Sequence, residues 1–330
     1  MDWAWLDTLF NATLEEYKTE LADNVFESHA ILEILKKNSK VPTMTVGTKL
    51  IIPVLFGKAK GLVNYGYYDK IQIKTAGGLQ QAEVPMSRFA IPMAIATQEL
   101  EENSGKAKII DLLQMKLMQA EQTLEEGLAS QLWGTDIIRT ENGVPLLSIQ
   151  KMIEPGATDG DPAYNTEFMG IDPSAAGMSP WKAQFVKGSD TRKGLRDLVN
   201  KCKDGSKGLD VIVTNEDGYN AYEDLLLATT TDVGIRYTDN KKGDASYADL
   251  SIKNINIILD KNCPSVQANK PDYYGLNSKS IGFKISGIRK KPFNEPDDQD
   301  ARSTILFVQA QLFTNERRRH GVFKTIAAAD

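Results

Sequence analysis

Between residues 104 and 133 apolar side chains recur every three or four positions. Ile110, Leu113, Leu117, Ala120, Leu124 and Leu128 share one stripe, which Gln131 continues. With Ser104 as candidate N-cap, this stride predicts one amphipathic helix about 40 Å long at 1.5 Å per residue, with that stripe as its buried face. Its charges oppose the macrodipole: Lys106 and Lys108 open it, and Glu121, Glu125 and Glu126 come later. They are expected to serve something outside the helix, for which neighbouring chains are a candidate. An earlier helical stride over 14–38 places Leu21, Val25, His29, Leu32 and Leu35 near one face of an N-terminal arm.

Between these helices the pattern changes from three-four to two. Ile71 and Ile73 alternate with Gln72 and Lys74 before Gly77-Gly78, a hairpin signal. Pro85 and Pro92 cannot donate to a ladder, so the returning strand should be an edge or leave the body of the protein. Residues 150–190, dense in Gly, Pro, Asp and Ser, read as a long loop anchored by Trp181. Beyond it lie a helix in "DTRKGLRDLVNKCK", a buried strand over 209–214, and a helix capped by Asn215 with Glu216 and Asp217 in its first turn. Strands are expected over 253–260, 280–286 and 303–313, the last with Leu306, Val308, Ala310 and Leu312 on one face. The class is α+β.

At 330 residues, the chain exceeds one hydrophobic core and predicts two or three structural regions. Lys and Arg total 39 against 44 Asp and Glu, for a net charge of −5. This argues against a surface built throughout to neutralise phosphates, so any nucleic-acid contact should be local. Two cysteines, Cys202 and Cys263, exclude a disulfide framework and a multi-cysteine zinc site, and are expected to be packing residues. The opening "MDWAWLDTLF" has an acid and no early Lys or Arg, unlike a signal peptide, and no apolar run approaches the roughly 20 residues that span a bilayer. A protein kept in water is expected.

Catalytic motifs fail on their spacing. The Gly105-Lys106 pair has Leu100 in place of the first P-loop Gly and Ala107 in place of the Mg²⁺ ligand. "GMSPW" puts Trp181 where a nucleophile elbow around Ser179 needs Gly. His29 and His320 are the only imidazoles. The acidic runs at 159–161 and 294–300 lack the spacing of an EF-hand. No cofactor, metal or catalytic residue is expected. The triplet Arg317, Arg318 and Arg319 leaves three readings open: a solvated strand end, a phosphate patch, or a charge contact between subunits.

Several segments together resemble the major capsid proteins of tailed bacteriophages, of the Hong Kong 97 type. "ATQELEENSGKAKIIDLLQMKLMQAEQTLEEGLASQLWG" (96–134) resembles the run from hairpin base into spine helix. "MGIDPSAAGMSPWKAQ" (169–184) resembles the Gly-Ile-Asp segment that follows, with a longer spacing and Lys182 where Arg is usual. "VIVTNEDGYNAYEDLL" (211–226), "DKNCPSVQANKPDYYGLN" (260–277) and "FTNERRRHGVFKTIAA" (313–328) are similar to the axial strand and helix, the approach to a later strand, and the closing strand.

The resemblance implies an arm at 1–46, an extended hairpin loop at 47–96, a peripheral domain at 97–140 and 300–330, and an axial domain at 141–299. It also implies a virion shell protein, assembled in the bacterial cytoplasm from hexamers and pentamers of itself around double-stranded DNA. Scaffolding, portal and decoration proteins are further expected partners, and no membrane is involved. The arm begins almost at Met1, which implies a chain already mature or one dependent on a separate scaffold. Lys70, Lys74, Lys106, Lys108, Glu121, Glu125 and the three arginines become candidates for contacts between subunits. Some members join subunits through a Lys–Asn bond, but no motif here supplies the Asn. The rival readings are an encapsulin-like bacterial compartment of the same fold, a hydrolase using Ser179 or His320, and a DNA-binding module built on the arginines.

Overall fold

A computed structural model describes residues 31–32, 34–35, 44–46, 49–55, 64–70, 79–102, 106–134, 143–153, 167–173, 181–205, 207–228, 250–264, 271–292 and 300–326. The chain divides into two compact units. One gathers Met1–Lys37, Met86–Leu147 and Phe283–Leu312, the other Asn38–Pro85, Ser148–Gly282 and Phe313–Asp330.

Strands β1 (Met44–Val46), β2 (Lys49–Leu55) and β3 (Leu79–Pro85) form an antiparallel sheet in that order. The register sets Leu50 against Val84 and Ile52 against Ala82, and all four are buried. Lys49 and Glu83 form an exposed ion pair at 3.0 Å. Pro85 lies on the edge strand, where its missing N–H costs no ladder bond. The hairpin ends here, short of the expected residue 96, because the next strand joins another sheet. The alternation at 71–74 and the Gly77-Gly78 turn lie outside the described residues.

Strand β4 (Ser87–Ala96) leads into α1 (Thr97–Glu102) and α2 (Lys106–Leu132). At 27 residues α2 extends about 40 Å, and it packs against β4. Leu117, Leu124, Leu128 and Leu132 are buried. The side chains of Ile110, Leu113, Lys106 and Lys108, and Ser104 itself, lie outside the described residues.

The run 150–190, expected as a loop, holds two further elements: α3 (Ile149–Ile153) at its start and β5 (Gln184–Gly188) near its end. Trp181 is buried, and its Nε1–H donates to Phe168 O at 3.2 Å. Helix α4 (Thr191–Cys202) starts at Asp190, whose carboxylate accepts the Lys193 N–H. Strand β6 (Val211–Thr214) is followed by α5 (Glu216–Ala228), where Asn215 Oδ1 accepts the Gly218 N–H at 3.0 Å. The strand expected to start at Lys253 starts later. Lys253 and Asn254 have φ of 51° and 65° and make the two-residue turn between β7 (Leu250–Ile252) and β8 (Ile255–Leu259).

After β9 (Asp272–Leu276) the chain runs out through β10 (Ile281–Lys290) and back through β11 (Ala301–Thr314). It then makes a 3₁₀ turn over Arg317–Arg319 and enters β12 (Gly321–Thr325). A mixed six-stranded sheet has the order β5-β12-β9-β6-β8-β7, with β12 parallel to β5 and antiparallel to β9. The closing strand thus belongs to this sheet and not with the long helix, which corrects the expected grouping of 300–330. Phe323 of β12 stacks on Tyr273 of β9, with ring centroids 5.9 Å apart. Helix α4 covers the pair at Gly194, where a Cβ would fall 2.1 Å from the Phe323 ring, so a glycine is required for this approach.

The other described sheet has the order β10-β11-β4. Leu306, Val308, Ala310 and Leu312 are fully buried, as their alternation predicts. Pro92 again sits on the edge strand, paired with Ile305.

Candidate functional site

The basic triplet does not act as a unit. A 3₁₀ turn advances about 120° per residue, so three successive side chains leave it in three directions. Arg317 is fully buried within its own chain. Its Nε donates to Met152 O at 2.5 Å and a terminal nitrogen lies 3.4 Å from Lys151 O, both carbonyls at the end of α3. The guanidinium stands 5.4 Å from the Phe168 ring centre. Arg317 therefore caps a helix C-terminus, where a cation meets carbonyls without intrahelical partners. Burial lowers its pKa to about 10, and it remains charged at neutral pH. It is unavailable to a neighbouring subunit, contrary to the expectation.

Arg319 is mostly covered and pairs with Glu316, and Ser280 Oγ lies 3.5 Å away. Only Arg318 faces outward, its side chain 44% exposed and 3.6 Å from the exposed Asp204.

His320, which follows, is completely buried. The Asn277 N–H donates to its Nδ1 at 3.2 Å, so that nitrogen carries no proton. The ring hydrogen then sits on Nε2 and donates to Thr314 Oγ1 at 3.1 Å, whose hydroxyl donates to Ser280 O at 2.8 Å. Burial, and then repulsion from Arg319 and Arg317, holds its pKa down to about 3. With both nitrogens engaged, His320 is a neutral structural link and a poor general base.

Burial pushes the Cys202 thiol up to about 12, and burial followed by Asp260 and Asp272 raises Cys263 further. Neither has the thiolate character of a nucleophile. Ser179 and His29 lie outside the described residues. Among the described residues no three His, Cys, Asp or Glu side chains cluster to hold a metal.

On α2 the acidic candidates divide. Glu121 is 6% exposed, one turn beyond Leu117 on the covered side, which removes it from the surface available to a neighbour. Glu125 is half-buried, and its pKa is raised first by burial and then by Glu121 and Glu126. The exposed face of the same helix shows Met115 and Met118.

Lys70 is exposed beside a turn in which the Gly66 N–H bonds Asp69 Oδ2 at 2.8 Å. That turn carries Tyr65, Tyr67 and Tyr68 outward. Lys74 lies outside the described residues. Periodicity singled out none of these tyrosines, although a Tyr-rich run between two strands was the available signal.

No family model matches the chain, and no curated protein is similar to it. Among solved structures it is similar to a chain of the cyanophage A-1(L) capsid asymmetric unit, with 15% identity, 88% of this chain and 90% of that one covered, and a TM-score of 0.55. It is similar to the capsid chain of a native GTA particle at 10% identity, over 89% and 90%, with a TM-score of 0.57. A chain of the satellite phage P4 procapsid with its size determination (Sid) protein matches over 100% and 99%, at 10% identity and a TM-score of 0.51. The chain thus has the α+β fold of phage-capsid subunits, as the segment resemblance implied.

Proposed function

We propose that this chain is a structural protein, a major capsid protein that assembles with copies of itself into the icosahedral head of a tailed phage. The observation that carries the reading is the extent of the likeness: capsid chains match 88–100% of this one, long helix and mixed sheet together. Chemistry points the same way at His320, which the rival hydrolase reading would use: it is buried and neutral, with both ring nitrogens engaged. Shell formation asks for surfaces repeated by symmetry instead of one active site.

In this reading the unit holding α2 and the β10-β11-β4 sheet is the peripheral domain. The six-stranded sheet belongs to the axial domain, β2 and β3 to the extended loop, and residues 1–46 to the arm. The virion head is its location, bacterial cytoplasm its place of assembly, and double-stranded DNA its content. The P4 procapsid contains the Sid protein, which supports an accessory assembly protein as partner. Electron microscopy of the purified chain tests the reading: hollow icosahedral particles are expected, alone or with a co-expressed scaffold. A uniform monomer under both conditions would overturn it, and packaged enzymes in place of DNA would turn it into a cargo compartment.

A further inference from the structure

The end of β10 carries two cations whose position is better defined than their exposure requires. Arg289 and Lys291 are two residues apart in an extended run and so share a face. The Arg289 guanidinium lies 5.3 Å from the Phe307 ring centre and the Lys291 ammonium 5.9 Å from it. The Lys291 N–H donates to Ile305 O at 3.0 Å, and Thr304 Oγ1 donates to Lys291 O at 2.5 Å. Beside them is a concavity of about 300 Å³ lined by Lys291, Pro292, Ser303, Thr304 and Ile305.

Both cations are exposed, and among the described residues neither has a carboxylate partner. A chain of net charge −5 therefore presents here two like charges side by side, held over one aromatic ring. Carboxylates are the complementary chemistry, through charge-assisted hydrogen bonds that an Arg makes two at a time. The same chain supplies them: Glu295, Asp297, Asp298 and Asp300 follow Lys291 directly in sequence.

We propose that the Arg289–Phe307–Lys291 face receives the acidic run 295–300 of a second copy in a head-to-tail contact. The inference rests on the shell reading and names one of its interfaces. Each copy offers one surface of each sign, so the contact repeats around a symmetry axis without a second partner. It also gives the acidic run, whose spacing suits no calcium site, a role in assembly.

The test is charge exchange in the full-length chain. Arg289→Glu with Lys291→Glu should melt like wild type, yet its particle yield should fall about tenfold or more, since like charges then face each other across the contact. Adding Asp297→Lys and Asp298→Lys should restore assembly. A Lys291→Cys, Asp298→Cys chain, mildly oxidised after assembly, should give a ladder of multimers on a non-reducing gel. Assembly of the reversed variant at wild-type yield overturns the proposal, as does a disulfide that closes within one chain. Normal particle yield with loss of retained nucleic acid from the reversed shells would assign the face to a polyanion and also overturn it. These outcomes leave the shell reading standing. A wild-type chain that forms no particles, with or without a scaffold, removes that reading and the interface with it.

Discussion

Acidification from pH 7 to pH 5 is expected to cost the folded chain about 2 kcal/mol through His320 alone. In the folded state this imidazole titrates near 3, against an ordinary value of about 6.5 in an unfolded chain. Above the unfolded value both states are unprotonated here, and the contribution of His320 is complete. Below it the unfolded chain binds a proton that the folded chain refuses. Stability then falls by up to about 1.4 kcal/mol per pH unit until the folded site titrates in turn.

The refusal has a visible cause. A proton on Nδ1 would face the Asn277 N–H that now donates to it, in a buried site near Arg319 and Arg317. Urea denaturation of the dissociated subunit, in steps from pH 7 to pH 5, measures the loss. His320→Gln is the control: it keeps a donor for Thr314 but does not titrate, and it leaves the Asn277 N–H unpaired at a cost of about 1–3 kcal/mol at neutral pH. The gap between the two proteins should narrow by about 2 kcal/mol on acidification. A constant gap would refute the reasoning and show that His320 is not held neutral in the fold.

Three other outcomes are expected. Arg317→Leu should lower stability by about 3 kcal/mol in a thermal melt, because it strips the α3 carbonyls of their cation; Arg318→Glu should melt normally and fail only in particle formation, and equal effects would mean that the division of the triplet is wrong. Gly194→Ala should cost about 1–3 kcal/mol, since its methyl must displace the Phe323 ring, and an unchanged denaturation midpoint would show that the ring has room to move. Leu117→Asp should prevent folding or cost at least about 3 kcal/mol, as an unpaired carboxylate on the buried stripe of α2; normal solubility and a wild-type melt would contradict that facing.

Features set by local chemistry were legible in the sequence. The Asn215 cap, the stride of α2, the alternation of β11 and the edge placement of Pro85 and Pro92 each depend on residues a few positions apart. Features that depend on distant partners were not. Strand β5 is five residues beside a Gly- and Pro-rich run, and its hydrogen-bond partner β12 lies more than a hundred positions later. The three arginines are chemically identical, and only the phase of the 3₁₀ turn, set when α3 and Phe168 receive Arg317, decides which one reaches solvent. The cationic face was hidden for a related reason: Arg289 and Lys291 look like an ordinary strand end until Phe307 is brought beneath them.

The place of β12 within the six-stranded sheet also carries a consequence for biosynthesis. Among the described residues, strand β5 joins that sheet through β12 alone, yet it is made long before residues 321–325 leave the ribosome. Until then β5 has no sheet neighbour, β9 has one side unpaired, and α4 has no Phe323 to cover. A nascent chain therefore cannot finish this core before β12 has left the ribosome. For a protein proposed to assemble with copies of itself, that order of events delays competence until β12 is made, a timing device written into strand order.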